Sequence, residues 1–191
     1  YYYLIPHQTV FKVPDDVSDE IVAPANCALS EVIYGLEKVQ FSFGETIAIQ
    51  GAGGLGIYAT AVAKDMGASK VIVIDGITQR LKMAKAFGAD ELIDLRELNT
   101  PDERVMRVRE LTGGWGANVV AELVGFPRVV PEGLSMLGNG GRYLEIGNIT
   151  AGMTYVADPS EIVMGNKSIV GVFLYESQTL KKALDFLSRA K

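Results

Sequence analysis

Apolar residues recur along this chain in short continuous runs, separated by stretches in which they return every three or four positions. The runs IAI, VIVI, VVAELV and IVGVF lack regular polar alternation, which is typical of strands buried on both faces of a parallel sheet. The stretches between them have the spacing of amphipathic helices. From residue 46 onward this alternation predicts a series of right-handed βαβ units.

The same pattern gives bounds for the predicted elements. Predicted strands cover residues 46–50, 70–75, 91–94, 118–124, 142–146 and 168–174. Predicted helices cover residues 24–39, 54–66, 78–87, 101–112, 128–137 and 178–190, and Thr100 with Glu103 forms the capping box of the fourth. Six strands with five intervening connections predict an α/β fold with a doubly wound, six-stranded parallel sheet. Residues 1–14 are predicted as two short strands or extended segments outside the series.

Composition and charge narrow the classes of function. The chain has 191 residues, 48% of them apolar, and a net charge of −5. No basic stripe is present to bind nucleic acid, and no apolar run approaches the roughly 18–20 residues of a membrane span. We therefore expect no nucleic-acid or membrane partner, and, with no leader in these residues, a cytoplasmic location. The start at Tyr1 without methionine leads us to expect a piece of a longer protein.

Candidate chemistry begins at TIAIQGAGGLG, residues 46–56, where a predicted strand meets a predicted helix. Gly51, Gly53 and Gly56 match G-x-G-x-x-G, with Gly54 as an additional glycine. In that motif the first glycine takes the tight turn, the second admits a pyrophosphate and the third lets the helix pack closely. The strand and helix around the match favour a dinucleotide-binding site over a purely steric glycine turn.

Asp75 ends the next predicted strand, 19 residues after Gly56. A carboxylate there can accept both ribose hydroxyls of NAD and would repel the 2′-phosphate of NADP. Arg80, five residues further on, could contact either the ribose or a 2′-phosphate. NAD is therefore favoured over NADP, although Arg80 leaves the second open.

Two other interpretations of these motifs are weaker. Tyr34 and Lys38 have the Tyr-x-x-x-Lys spacing of short-chain reductases, but they precede the glycine turn instead of following it. A methyltransferase also has a glycine turn and a second-strand acid. Such proteins usually carry an acid just before the first glycine, where this chain has Gln50.

The blocks from ANCALSEVIYGLEKV through GAGGLG to RLKMAKAFGAD, with GGWGANVVAELVG, GGRYLEIGN and NKSIVGVF, carry a further indication. They closely resemble the coenzyme-binding Rossmann domain of the zinc-dependent medium-chain dehydrogenase/reductases, the alcohol dehydrogenase superfamily. The resemblance implies that residues 1–25 are a remnant of the N-terminal catalytic domain and residues 26–191 the dinucleotide-binding domain, truncated at its C-terminus. It implies an NAD(P)-dependent alcohol dehydrogenase acting on a small-molecule alcohol or carbonyl compound.

The resemblance also implies roles for individual residues. The pyrophosphate would lie on Gly51, Gly53, Gly54, Leu55 and Gly56. The adenosine ribose would contact Asp75 and Arg80, with Leu123 and Val124 flanking the middle of the cofactor. The nicotinamide pocket would be lined by Ile146, Gly147, Asn148, Val172 and Leu174.

The implied metal site is incomplete in this sequence. Cys27 falls where zinc-using members carry a catalytic zinc ligand, although a lone cysteine is more commonly a buried structural thiol. The other zinc ligands of the family have no counterpart here, and His7, in IPHQTV, is interpreted as structural or on the surface. Glu31 stands where many members have a threonine near the nicotinamide. It could be an alternative ligand, a polar contact or a residue that faces away.

The resulting expectation is a chain that binds NAD(H) weakly and has no dehydrogenase activity by itself, because one ligand cannot form a catalytic zinc site. A non-catalytic NADH-sensing module and a zinc-free quinone-reductase-like protein remain alternatives. Residues 169–175 (IVGVFLY) are apolar and prone to form a strand. An exposed edge of this kind favours association, and the family commonly dimerises there, so a homodimer is expected.

Overall fold

The computed structural model describes residues 4–6, 8 and 10–189, and its centre is a six-stranded parallel sheet. The strand order is β3-β2-β1-β4-β5-β6, with every pair parallel. This confirms the predicted doubly wound α/β fold. The strands are β1 (Thr46–Gln50), β2 (Lys70–Asp75), β3 (Glu91–Asp94), β4 (Ala117–Glu122), β5 (Leu137–Glu145) and β6 (Ser168–Gly171).

Helices connect the strands. They are α1 (Asp19–Val22), α2 (Ser30–Lys38), α3 (Gly54–Asp65), α4 (Thr78–Ala86), α5 (Pro101–Leu111), α6 (Val130–Met136), α7 (Pro159–Met164) and α8 (Gln178–Arg189). A π-helical turn at Ala25–Leu29 precedes α2, and a 3-10 turn at Pro127–Val129 precedes α6. No helix in the described ranges has both the length and the apolar character that crossing a membrane requires.

Alternate residues of each central strand serve two cores. In β1, Ile47 and Ile49 belong to the core beneath α2, α3 and α8. Ala48 belongs to the second core, beneath α5 and α6. All three side chains are fully buried, so β1 has no solvent-facing side, as its continuous apolar run predicts.

Several predicted bounds are wrong. β4 ends at Glu122 instead of residue 124, β6 ends at Gly171 instead of residue 174, and β5 begins five residues before residue 142. The predicted helix at residues 24–39 starts as the π-helical turn, and the one at 128–137 starts as the 3-10 turn. The helices α1 and α7 were not predicted.

Residues near both ends of the described part of the chain pack on the sheet domain. In the described part of residues 1–14, the predicted β segment is limited to one isolated bridge between Pro6 and Val10. Val17 is buried in the larger core, and the Ser188 hydroxyl donates to Asp16 on the same side. His7 lies outside the described residues.

Candidate functional site

The glycine turn, residues 51–56, presents two opposite surfaces. Gly51 has φ +95°, in the left-handed region that favours glycine. A Cβ on Gly56 would lie 1.9 Å from the Gly51 carbonyl oxygen, so α3 packs directly on the turn. A Cβ on Gly53 or Gly54 would meet nothing within 4 Å. The turn is therefore closed toward the protein and open toward the cleft.

On that open side, the backbone N–H groups at the start of α3 have no side-chain cap. Gly53 is the N-cap residue, and no side chain caps the helix. The first N–H groups of a helix have no intrahelical partner and carry partial positive charge, which suits an anion such as a phosphate. Leu55 anchors this end, since it is half-buried and packs against the larger core.

Asp75 is held close to the glycine turn. It is only 7% exposed, and its Oδ2 accepts a hydrogen bond from the Ala52 amide at 2.8 Å. Its Oδ1 accepts one from the Ile77 amide at 2.8 Å. The Arg80 Nη1 atom lies 3.7 Å from Oδ2. The carboxylate thus fixes the turn while its negative charge faces the same opening.

A cavity of about 230 Å³ joins these groups, and we call it the β1–β2–β4 cavity. It lies at the carboxyl ends of the three strands. This includes the junction of β1 and β4, the switch point of a doubly wound sheet, where ligands bind. Six of the predicted site residues line it: Gly51, Gly53, Asp75, Arg80, Leu123 and Val124. A neighbouring cavity of about 550 Å³ shares Gly51, Val124 and Phe126 with it.

A separate cavity of about 400 Å³, the β5–β6 cavity, opens at the carboxyl ends of the last two strands. Three predicted residues line it, Ile146, Asn148 and Val172. Gly147 lies between the first two in the chain, and Leu174 follows Val172 after the end of β6. Leu174 is 58% exposed and has φ +64°, a conformation that costs energy for a residue with a branched side chain.

Glu122, at the end of β4, is a polar residue that the sequence reasoning missed. It is fully buried. Its Oε1 accepts hydrogen bonds from the amides of Val124 and Gly125, both at 2.7 Å. Its Oε2 accepts one from the Asn148 side-chain amide at 3.0 Å. The available signal was the single acid in the apolar run VVAELV.

A second carboxyl group lies beside Glu122. Glu145 is its register partner across the β4–β5 ladder, and its Oε1 accepts from the same Asn148 amide nitrogen at 3.1 Å. Burial raises the pKa of Glu122 to about 7, and the Glu145 carboxyl acts in the same direction, whereas the Gly125 and Val124 amides oppose them. Burial also raises the pKa of the neighbouring Tyr143 phenol.

Cys27 lies on the π-helical turn as an exposed free thiol, so the interpretation as a buried structural thiol is wrong. Nearby, the Tyr175 hydroxyl donates to the Asn26 carbonyl oxygen at 2.9 Å, and burial raises the pKa of Tyr175. Within the described residues, no three His, Cys, Asp or Glu side chains converge as a metal site.

Glu31 makes a polar contact across the cleft. Its Oε1 accepts a hydrogen bond from the Leu174 amide at 3.1 Å, which ties α2 to the segment after β6. The Tyr34 hydroxyl donates to Glu176 in the same segment at 3.0 Å, and Lys38 lies over the Tyr34 ring. Tyr34 and Lys38 therefore serve a surface contact. Gln50 also has internal partners, since its amide donates to the Val129 carbonyl and accepts from Tyr143.

The switch-point cleft, the open glycine turn and the buried strand-end acid define a nucleotide-binding α/β domain. A family model described as zinc-binding dehydrogenase matches residues 54–189. The chain belongs to the zinc-binding dehydrogenase family and corresponds to the NAD(P)-binding domain of its alcohol dehydrogenases. This assignment replaces the short-chain reductase and methyltransferase interpretations.

The relatives agree with that assignment. The chain is 34% identical over 180 residues to 5-exo-hydroxycamphor dehydrogenase of Pseudomonas putida, covering 94% of this chain and 50% of the relative. It is 32% identical over 184 residues to sorbitol dehydrogenase of Bacillus subtilis, covering 94% and 49%. An alcohol dehydrogenase structure from Thermotoga maritima superposes with a TM-score of 0.89 at 30% identity, covering 94% and 49%. The chain spans about half the length of these relatives.

Proposed function

We propose that this chain binds NAD(H) along the carboxyl edge of its sheet. The observation that carries the proposal is the glycine turn, whose open face at Gly53 and Gly54 shares a cavity with the Asp75 carboxylate. The pyrophosphate would lie on residues 51–56 at the start of α3, and the ribose beside Asp75 and Arg80. Leu123 and Val124 would flank the middle of the cofactor.

The nicotinamide would occupy the β5–β6 cavity, beside Ile146, Gly147, Asn148, Val172 and Leu174. When bound, the ring accepts a hydride from an alcohol carbon or donates one to a carbonyl carbon. The residues that line this cavity would hold and orient the ring. Glu31 accepts from the Leu174 amide, one residue after Phe173, which lines that cavity.

We propose NAD rather than NADP as the cofactor. Support comes from the charge at the ribose position, where Asp75 is buried and Arg80 lies within 3.7 Å of it. Arg80 is thus partly neutralised, and a 2′-phosphate would lie next to a carboxylate with two amide donors already engaged. Repulsion between like charges disfavours that arrangement.

In a protein that also carries the other half of its relatives, we propose an NAD-dependent alcohol dehydrogenase acting on a small-molecule alcohol or carbonyl substrate. In this division residues 1–25 belong to the catalytic domain and residues 26–191 to the cofactor domain. The exposed Cys27 thiol would contribute one zinc ligand. The described residues do not form a zinc site by themselves, and the chain alone is proposed to lack dehydrogenase activity.

We also propose that two copies associate through β6. This strand is at the end of the sheet order, with β5 on one side only. Ile169 and Phe173 are exposed on and after it, as are Val163 and Met164 of α7. An open strand edge with apolar neighbours favours pairing with a second copy.

Titration of the purified chain with NADH, followed by nicotinamide fluorescence, tests the cofactor proposal. Saturable enhancement is expected, with NADPH binding at least about tenfold more weakly. Asp75→Asn should narrow the gap between NADH and NADPH, whereas Asp65→Asn, at the far end of α3, should leave it unchanged. A chain that is folded by circular dichroism but shows no saturable binding would contradict the proposal.

A further inference from the structure

The ends of β4 and β5 carry two carboxyl groups with no cationic partner. Within the described part of the chain, no Lys, Arg or His lies within ion-pair distance of Glu122 or Glu145. Among the described residues, the N–H donors to the Glu122 carboxyl group are the neutral amides of Val124, Gly125 and Asn148. Buried carboxylates normally have a cation or a metal, or else keep a proton.

Asn148 bridges the two carboxyl groups. The Asn148 amide nitrogen lies between Glu122 Oε2 and Glu145 Oε1, while Asn148 Oδ1 is buried without any partner. A proton on either carboxyl group relieves the repulsion between the two acids.

The charged and titratable groups described on the neighbouring elements have other contacts. Tyr143, on β5, donates its hydroxyl to Gln50. Glu132, on α6, is paired with Arg104 of α5 at 2.7 Å. Arg128, on the turn before α6, lies over the Phe126 ring. The pair is therefore the charge-variable group at this position.

The pair lies next to the β5–β6 cavity. Glu145 lines it, and a Cβ on Gly147 would lie 2.5 Å from Glu122 Oε2. A ring in this cavity would be close to both carboxyl groups, so their charge would act on it. The oxidised nicotinamide ring is a cation and the reduced ring is neutral, so only the oxidised ring gains from negative charge there.

We propose that the Glu122–Glu145 carboxyl pair determines which redox form of the cofactor this site prefers, favouring NAD⁺ over NADH when the pair has given up its shared proton. This inference rests on the proposed cofactor site. By linkage, NAD⁺ binding displaces the proton and NADH binding does not. Both carboxyl groups act through charge, and Asn148 positions them.

Calorimetric titration with NAD⁺ and with NADH, between about pH 5.5 and 8.5, tests this inference. In the wild-type chain the preference for NAD⁺ should rise by roughly fivefold to tenfold through neutral pH, as one charge is added near the ring. Glu122→Gln should abolish that rise, and Glu145→Gln should move it to lower pH. Glu110→Gln, on the exposed face of α5, should behave as wild type.

A second measurement needs no variant. The enthalpy of NAD⁺ binding at neutral pH, measured in buffers of different ionisation enthalpy, should show release of a fraction of a proton, and that of NADH should show none. Binding of both forms with a pH-independent ratio and no proton release would overturn the inference alone. Failure of both forms to bind would overturn the cofactor proposal.

Discussion

Gly53 and Gly56 are three residues apart in one turn, but their surroundings are opposite. Gly56 has the Gly51 carbonyl at the position of its absent Cβ, and Gly53 has open cleft there. The sequence motif gives the two glycines different roles, since the second admits the pyrophosphate and the third lets the helix pack closely. The structure agrees with the steric reason for Gly56 and shows that no protein contact requires Gly53 to be glycine.

Alanine at these two positions should therefore separate folding from binding. Gly56→Ala would place a methyl group 1.9 Å from a backbone oxygen, and we expect it to destabilise the fold by about 4 kcal/mol or more. Gly53→Ala should change stability by less than about 1 kcal/mol, but weaken NADH binding at least about tenfold, because its methyl group would occupy the pyrophosphate position.

Urea denaturation and NADH titration of both variants check this prediction. The loss of stability should appear in Gly56→Ala, and the loss of NADH binding without loss of stability should appear in Gly53→Ala. If Gly53→Ala unfolded the chain, the turn would not be open at Gly53. If Gly53→Ala bound NADH as the wild type does, the open face of the turn would not be the phosphate site.

Glu122 shows what a sequence cannot supply at this scale. The acid is visible in the run VVAELV, but its importance comes from Glu145 at the same level of the next strand. These residues are 23 positions apart, and only the β4–β5 register brings them together. A strand-by-strand interpretation has no access to that pairing.

Among the secondary-structure elements, α5 and α6 are joined by a buried ion pair. The Arg104 guanidinium donates to both carboxylate oxygens of Glu132, at 2.7 Å each, and to the Leu98 carbonyl at 2.9 Å. The two side chains are only 10% and 7% exposed. A bidentate pair of this kind fixes the relative position of the helices.

Removing one partner should be costly, because it leaves a buried charge without compensation. We expect Arg104→Met to lower the free energy of unfolding by about 3–5 kcal/mol, and the double variant Arg104→Met with Glu132→Leu to recover most of it. On the same helix, Arg107 pairs with Glu110 at the surface, so Arg107→Met should cost less than about 1 kcal/mol. Equal losses for Arg104→Met and Arg107→Met in urea denaturation would contradict this interpretation.

The helices and strands also differ in how well the sequence predicts them. The bounds of β1, β2 and β3 match the apolar runs, and the capping box of α5 forms as predicted, with Thr100 accepting from the Glu103 amide. β5 begins earlier than predicted because Leu137 pairs with Ala117, and the residues GNGG that follow it lie at a shift in the β4–β5 register. β6 ends at Gly171, and the predicted continuation to residue 174 reaches Leu174, which has a left-handed backbone.

For the whole molecule, alternation of apolar runs and helical spacing was sufficient to predict a parallel doubly wound sheet. The sequence does not show which groups converge across the sheet edge. The contact of Glu31 with the Leu174 amide and the enclosure of Asp75 by the glycine turn both depend on the three-dimensional arrangement. The predicted site residues lie at one sheet edge because parallel strands place their carboxyl ends there.

The last prediction concerns association through β6. Ile169 on β6 and Leu92 on β3 are on the two outermost strands of one sheet, with 40% and 37% exposure respectively. Lysine at either position should change the stability of the monomer by less than about 1 kcal/mol. If two copies pair at β6, Ile169→Lys introduces two like charges at the interface and should convert a dimer into a monomer, while Leu92→Lys should not. Sedimentation velocity of the wild type and both variants at micromolar concentration distinguishes the outcomes. A monomeric wild type, or a dimer that only Leu92→Lys dissociates, would contradict an interface at β6.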